Sequence, residues 1–376
     1  MTMQRVLFVD DEPRLLDGLQ GLLRKRRHEW EMVFAVGGET GWEHIDRGTF
    51  DVVVSDMRMP KIDGVALLDH ARQVRPEAVR IVLSGYSDLE ATLRLVPIAH
   101  QFLSKPCDGK TLEGVISRAL SVKDLVPDPA LRAKLGCIDR LPVAPGTLTS
   151  LARLLDEDAE LDPIAKVIAG DIGLGAKLLQ IVNSSFFGLA GPCVEIPEAI
   201  SYLGLDILRH LAVTSDAFGP AIGGLNPPAG ATAPLYVSGT TLAPGHWLGE
   251  LSFRAARVGE LARGQVQSEH QREALMSGFL SDVGILARAV VDQHGLRDDL
   301  AEAQQRSLSL AAVERERRVA THAAIGGYLL GIWGLPPSIV GAVAHHEDEV
   351  EPAEDASPII RAAHRARREV QEPPNA

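Results

Sequence analysis

The run VLFVDDEP at residues 6–13 sets four consecutive apolar residues, Val6 to Val9, directly against two acids, Asp10 and Asp11. A short β-rich run that stops at carboxylates reads as a buried parallel strand with reactive groups at its carboxyl end. The same order returns three times: VVVSDMRMPKIDG at 52–64 places Asp56 after its strand, IVLSG at 81–85 places Ser84, and FLSKP at 102–106 places Lys105. Helical patterns separate these runs, from about 14 to 27, after Glu39, from 65 to 74 and near Leu89, with a further strand at 32–36. A last helix carries Leu112, Val115, Ile116, Ala119 and Leu120 on one stripe at spacings of three and four. Five strands and five helices in this order predict a doubly wound, flavodoxin-like α/β domain with a five-stranded parallel sheet.

Asp10, Asp11 and Asp56 then converge on one crevice. Three carboxylates at one point repel one another, and a hard, oxygen-ligated cation such as Mg²⁺ resolves the repulsion. Ser84 and Lys105 are left to hold an anion arriving on the middle carboxylate. These residues, in this order, resemble the receiver domain of two-component response regulators over residues 4 to about 122. The resemblance implies that Asp56 accepts a phosphoryl group from a sensor histidine kinase. It also implies a Mg²⁺ shell of Asp10, Asp11, Asp56 and the carbonyl oxygen of Arg58, with Lys105 and Ser84 on the phosphoryl oxygens. Phe102, three residues before Lys105, takes the place of the aromatic that changes rotamer on activation.

The chain has 376 residues, 45% hydrophobic and 23% charged, which suits a folded protein of two domains and excludes a disordered or fibrous one. Its formal net charge of −12 is uneven, since residues 1–123 hold 17 Lys+Arg against 18 Asp+Glu and the remainder holds −11. Such a field repels phosphate backbones and anionic lipid, so neither nucleic acid nor membrane is an expected partner. The basic cluster Arg24, Lys25, Arg26, Arg27 stands at a helix end, where cations offset the dipole. Cys107, Cys137 and Cys193 form no paired spacing, and the apolar runs fall short of a bilayer span, so a soluble cytoplasmic protein is expected.

Prolines at 127 and 129 mark a boundary, and the expected division is a receiver at 1–122, a linker at 123–135, an all-α domain at 136–350 and a solvated tail at 351–376. Three blocks of the helical part, LPVAPGTLTSLARLL, AKVIAGDIGLGAKLLQIVNSSFFG and IPEAISYLGLDILRHL, resemble the HDOD family, which is related to HD-type phosphohydrolases. Asn183, Ser184 and the AISYLG segment carry the most specific part of that likeness. A hydrolytic HD site needs an early His, an adjacent His-Asp pair and later ligands. Here the pair reads Ser281-Asp282, Glu250 rather than His246 takes the early register, and His364 the final one. Asp282, His322, His345 and His346 are left as a vestigial site.

The reading is therefore a phosphorelay response regulator whose HDOD domain signals by binding an unidentified protein without catalysis, and it admits a homodimer. Its rival is a phosphorylation-gated, metal-dependent phosphohydrolase acting on a cyclic dinucleotide.

Overall fold

The computed structural model describes residues 3–85, 95–144, 146–183, 192–214, 235–237, 240–242 and 247–371. Strands β1 (Gln4–Asp10), β2 (Trp30–Val36), β3 (Val52–Asp56), β4 (Val79–Ser84) and β5 (Gln101–Ser104) form one parallel sheet in the order β2-β1-β3-β4-β5. Every residue of β3 and β4 is buried. Strands covered on both faces need apolar runs, not alternation, which is the pattern the sequence shows.

Around the sheet lie α1 (Pro13–Leu23), α2 (Gly38–Arg47), α3 (Gly64–Val74) and α4 (Gly109–Ser121). The helix expected near Leu89 falls at 86–94, outside the described residues. Two helices start straight from the loops that form the crevice. Asp63 caps α3 by accepting from the Ala66 N–H at 2.8 Å, and Asp108 caps α4 by accepting from the Thr111 N–H at 2.9 Å. The basic run after α1 is a 3₁₀ turn, Arg24–Arg26, in which Arg26 pairs with Glu29 and Glu113.

The stretch expected as a linker is itself structured. A 3₁₀ turn at Val122–Leu125 leads to α5 (Pro129–Gly136). Pro129 sits in the first turn, where its missing N–H removes no helical bond, and Asp128 accepts from the Ala130 N–H at 2.9 Å. Proline thus opens a helix here, where the sequence pattern suggests a break.

The carboxy-terminal unit is mostly helical. Its first group comprises α6 (Thr147–Asp156), α7 (Leu161–Ala169), α8 (Ile172–Asn183), α9 (Ile196–Leu203) and α10 (Leu205–Thr214). A two-stranded antiparallel ribbon, β6 (Leu235–Val237) with β7 (Thr240–Leu242), lies in the Pro- and Gly-rich break, an addition to the all-α expectation. The second group comprises α11 (Trp247–Gly264), α12 (Gln271–Phe279), α13 (Val283–Val291), α14 (Gln293–Arg306) and α15 (Leu310–Arg317). It ends with α16 (His322–Ile332), α17 (Pro337–His345) and α18 (Pro358–Gln371).

Asn183 explains part of the family-like block. Its side chain accepts from the Cys193 N–H at 2.8 Å and donates to the Cys193 carbonyl at 2.7 Å, tying the end of α8 to the start of the next described segment. Ser184 and His246 lie outside the described residues. The stretch Ser268–Val291 is apolar and long enough to cross a bilayer by composition, contrary to the sequence expectation. Its most apolar 18 residues are 83% buried inside the protein, as a core helix pair is.

Residues 351–376, expected as a tail, contain α18. Its Ile359, Ala362, Ala363 and Ala366 are buried, against Val258, Ala262 and Ala274 on one side and Ala342 on the other. Alanines among arginines read as polar in sequence, yet they let a charged helix approach closely. Deleting residues 351–376 is expected to cost on the order of 3 kcal/mol or more in urea unfolding of the full chain. An unchanged midpoint would show that the segment is a free tail.

Candidate functional site

β1 and β3 run side by side with Val9 opposite Ser55, so the residues just beyond that pair reach the same edge of the sheet. Asp10, Asp11 and Asp56 accordingly bring carboxylate oxygens within 4.8 Å of one another. Asp10 and Asp56 are buried, while Asp11 stands half-buried at the mouth. Lys105, just past β5, places Nζ 2.8 Å from Asp10 Oδ2 and 2.5 Å from Asp56 Oδ1. The Arg58 N–H donates to Asp56 Oδ2 at 3.2 Å. Ser84 is buried at the end of β4 and donates to the Gly85 carbonyl at 3.2 Å. Gly64 closes the back of the crevice, since a Cβ there would stand 2.2 Å from the Asp56 carbonyl oxygen.

Burial raises the pKa of Asp56 above the ordinary carboxylate value; Lys105 draws it down and Asp10 pushes it up again. Lys105 is raised too, because the two carboxylates outweigh its desolvation. The crevice therefore holds more negative charge than its single lysine balances. Its donors are all oxygens, which fits a hard divalent cation. Phe102 is buried in β5 opposite Val82.

A second polar cluster is buried in the helical unit. Asp282, with 0% exposure, lies between two guanidinium groups: Arg254 of α11 at 2.8 Å and Arg367 of α18 at 3.1 Å. Arg367 also donates to Glu347 at 2.7 Å. Glu314 accepts from the backbone N–H of His322 at 2.8 Å and pairs with its Nδ1 at 2.7 Å. Arg288 joins Glu314, at 2.5 Å, to Asp299, at 2.8 Å. Burial alone would push the Asp282 carboxyl up, but Arg254 and Arg367 hold it well below the usual range. The ring of His346 donates Nδ1–H to the Val343 carbonyl at 2.8 Å, and burial lowers its pKa to about 4, so it is neutral at pH 7.

A profile for the response regulator receiver domain matches residues 6–117, and one for the HDOD domain matches 141–223 and 245–349. The chain belongs to the response regulators, with a receiver domain and an HDOD domain. The chain is 27% identical over 178 residues to the transcriptional regulatory protein ZraR of Escherichia coli O157:H7, covering 46% of this chain and 39% of ZraR. It is 29% identical over 188 residues to the DNA-binding transcriptional regulator NtrC of Azospirillum brasilense, covering 48% and 37%. The chain thus spans about two fifths of the length of these curated relatives. Among solved structures, the MmoQ response regulator of Methylococcus capsulatus aligns over 62% of this chain and 87% of its own, at 23% identity and a TM-score of 0.47. The receiver domain of an HD domain-containing protein from Pseudomonas fluorescens aligns over 32% and 98%, at 27% identity and a TM-score of 0.31.

In the receiver, the structure brings Asp10, Asp11, Asp56 and Lys105 together as expected, with Ser84 ending the neighbouring strand. In the HDOD domain it corrects the register of three positions. His345 and His346 were both expected beside Asp282; His346 joins Asp282 and His322, but His345 is exposed and pairs with Asp348 at 2.8 Å. Arg254, one turn beyond Glu250, is the group of α11 that reaches Asp282. Arg367, one turn beyond His364, is the group of α18 that does so, and His364 instead bonds the Asp348 carbonyl at 2.9 Å. Sequence reasoning missed both arginines. Their one signal was a charge on the small-residue face of a helix.

Because its folded pKa is raised, Asp56 gives up stability as pH rises from the ordinary carboxylate value, about 3.9, through the raised value. Asp56→Asn is therefore expected to stabilise the chain at neutral pH, without Mg²⁺, by on the order of 1 kcal/mol, and the difference should vanish in acid. Urea midpoints across pH check this, and a destabilised Asn variant would refute the electrostatic account. Arg367→Met should cost about 3–5 kcal/mol by leaving Asp282 and Glu347 undercompensated, and adding Asp282→Asn should recover part of that loss.

Proposed function

We propose that the chain is a phosphorelay switch in which Asp56 takes a phosphoryl group from a sensor histidine kinase and the HDOD domain passes the state on by binding a protein. The observation that supports the first half is Lys105 bridging Asp10 and Asp56 while Asp11 stays open to solvent. A carboxylate oxygen of Asp56 attacks phosphorus in line, the P–N bond of the kinase phosphohistidine breaks, and the departing imidazole keeps its electron pair and takes a proton. Lys105 exchanges its pairing with the Asp56 carboxylate for a phosphoryl oxygen, and the Ser84 hydroxyl donates to another. Asp10, Asp11, Asp56 and the Arg58 carbonyl would hold Mg²⁺, which when bound neutralises the crowded charge.

For the second half, the supporting observation is the pair of guanidinium groups on Asp282. A hydrolytic metal would need that carboxylate's negative charge, and Arg254 and Arg367 already balance it. Ser281 stands where the imidazole of the His-Asp pair would be. The phosphohydrolase reading has one observation in its favour: Nε2 of His322 and of His346 meet no hydrogen-bond partner among the described residues. Two imidazoles beside a carboxylate already neutralised make a poor site for a metal that must also activate water. We place the protein's action in the cytoplasm and on a protein surface, since the acid excess of residues 124–376 disfavours phosphate backbones and anionic lipid. A homodimer is compatible with this reading.

An acyl phosphate with Mg²⁺ is expected to label Asp56, and Asp56→Ala to abolish the label; equal labelling of the variant would refute the assignment. The purified chain is expected to carry no stoichiometric transition metal and to leave cyclic dinucleotides intact. Ser281→His should not create hydrolysis while Arg254 and Arg367 remain. Turnover by the unaltered chain, lost in Asp282→Ala, would establish the hydrolase instead.

A further inference from the structure

We propose that α16 is the strut by which the state of Asp56 reaches the buried Asp282 centre, and that the Gln101–Ile332 hydrogen bond is its coupling point. The proposal rests on the phosphoacceptor reading for its trigger alone. Gln101 opens β5, and Lys105, four residues on, pairs with Asp56. The Gln101 side chain donates to the Ile332 carbonyl at 2.9 Å in a buried seam between the domains. Ile332 ends α16, and His322, held by Glu314, begins it. A helix of eleven residues spans roughly 16 Å and transmits displacement as one body.

α16 is gripped along its length by close approaches that exclude even a Cβ. At Gly331 a Cβ would stand 2.5 Å from the Val122 side chain, and at Gly327 it would stand 2.7 Å from Ala344 Cβ. At the far end, a Cβ on Gly284 of α13 would stand 1.8 Å from the His322 carbonyl oxygen. Gly334, just past the helix with φ +82°, leaves room for the Gln101 side chain. Trp333 lies under the buried ammonium group of Lys177 at 5.5 Å. Lys177 Nζ in turn bonds the Asp139 carbonyl at 2.6 Å and the receiver's Val96 carbonyl at 3.4 Å. With contacts this tight, a shift of β5 displaces the helix end instead of being absorbed locally.

The obvious alternative route, through α5, is locked to the receiver. The Gly136 carbonyl accepts from Arg80 at 2.5 Å and from His100 Nε2 at 3.1 Å. His100 Nδ1 accepts from the Arg80 backbone N–H, so the proton is on Nε2. Arg80 also donates to the Ile98, Pro76 and Ala78 carbonyls. α5 therefore travels with the sheet, and the sheet meets the helical unit at Ile332 and, through Lys177 and Gln180 of α8, at the Val96 and His100 carbonyls.

The test uses the full chain labelled with 5-fluorotryptophan, with the Trp333 resonance assigned through Trp333→Phe, and hydrogen exchange read over 322–332. Beryllium fluoride with Mg²⁺, whose own fluorine signal reports binding to Asp56, should shift the Trp333 resonance and change exchange over 322–332 at least about threefold. Gln101→Ala, and Gln101→Met, which keeps the side-chain bulk, should both bind beryllium fluoride yet lose the two distal responses. Binding without those responses, or responses that survive in both variants, overturns the strut. If beryllium fluoride fails to bind Asp56, the phosphoacceptor reading falls. The strut then stands or falls on Gln101→Met alone, which must change exchange over 322–332 at least about threefold in the untreated chain.

Discussion

The carboxylate of Asp282, with no exposed surface, can remain charged only because Arg254 and Arg367 meet it from helices at opposite ends of the domain's second helical group. An isolated buried carboxylate would neutralise or unfold the site, so the pairing dictates where α11, α13 and α18 lie relative to one another. The chain of charges continues through Glu347 and His322 to Glu314, Arg288 and Asp299. Each member lies among others of opposite sign, so the loss of any one leaves a neighbouring charge undercompensated and is costly.

The two acid centres of this response regulator have opposite electrostatic balances. In the receiver, three carboxylates share one lysine, the mouth is open, and the Asp56 pKa is raised. That excess of negative charge is what the proposed Mg²⁺ and phosphoryl group would relieve. In the HDOD domain the carboxylate is closed in and balanced by guanidinium groups of the same chain. On the proposed reading these arginines supply the positive charge that a metal would bring to a hydrolytic site. On the proposed function the first centre changes state and the second holds a shape. A signalling protein needs both, because a switch has an effect only if something stiff receives it.

The receiver crevice was legible in sequence because a parallel sheet delivers residues to its site by a local rule. The residue after each strand arrives at the same edge, so Asp10, Asp56, Ser84 and Lys105 could be placed from their positions after apolar runs alone. The HDOD centre offers no such rule. On a helix, neighbouring positions are turned by about 100°, and residues three or four apart share a face. Counting along the chain therefore reached Glu250 and His364, where the fold uses Arg254 and Arg367, and put His345 beside His346, where only His346 joins Asp282. Composition misled at α18 for a related reason: an alanine counts for little in a polar run but allows close packing once a partner helix is present.

Sequence by itself determined the α/β unit, its order of strands and its crevice, together with the helical character of the carboxy-terminal two thirds. The resemblance to the HDOD family also put Ser281 where a His-Asp pair would have its histidine. Only the tertiary structure decided what balances Asp282, that residues beyond 357 form part of the core, and that Gln101 touches Ile332 across 231 positions of chain. The division has one physical cause. Strand ends and helix caps are fixed by neighbours a few residues away, whereas a buried charge is satisfied by whichever distant group the packing brings to it.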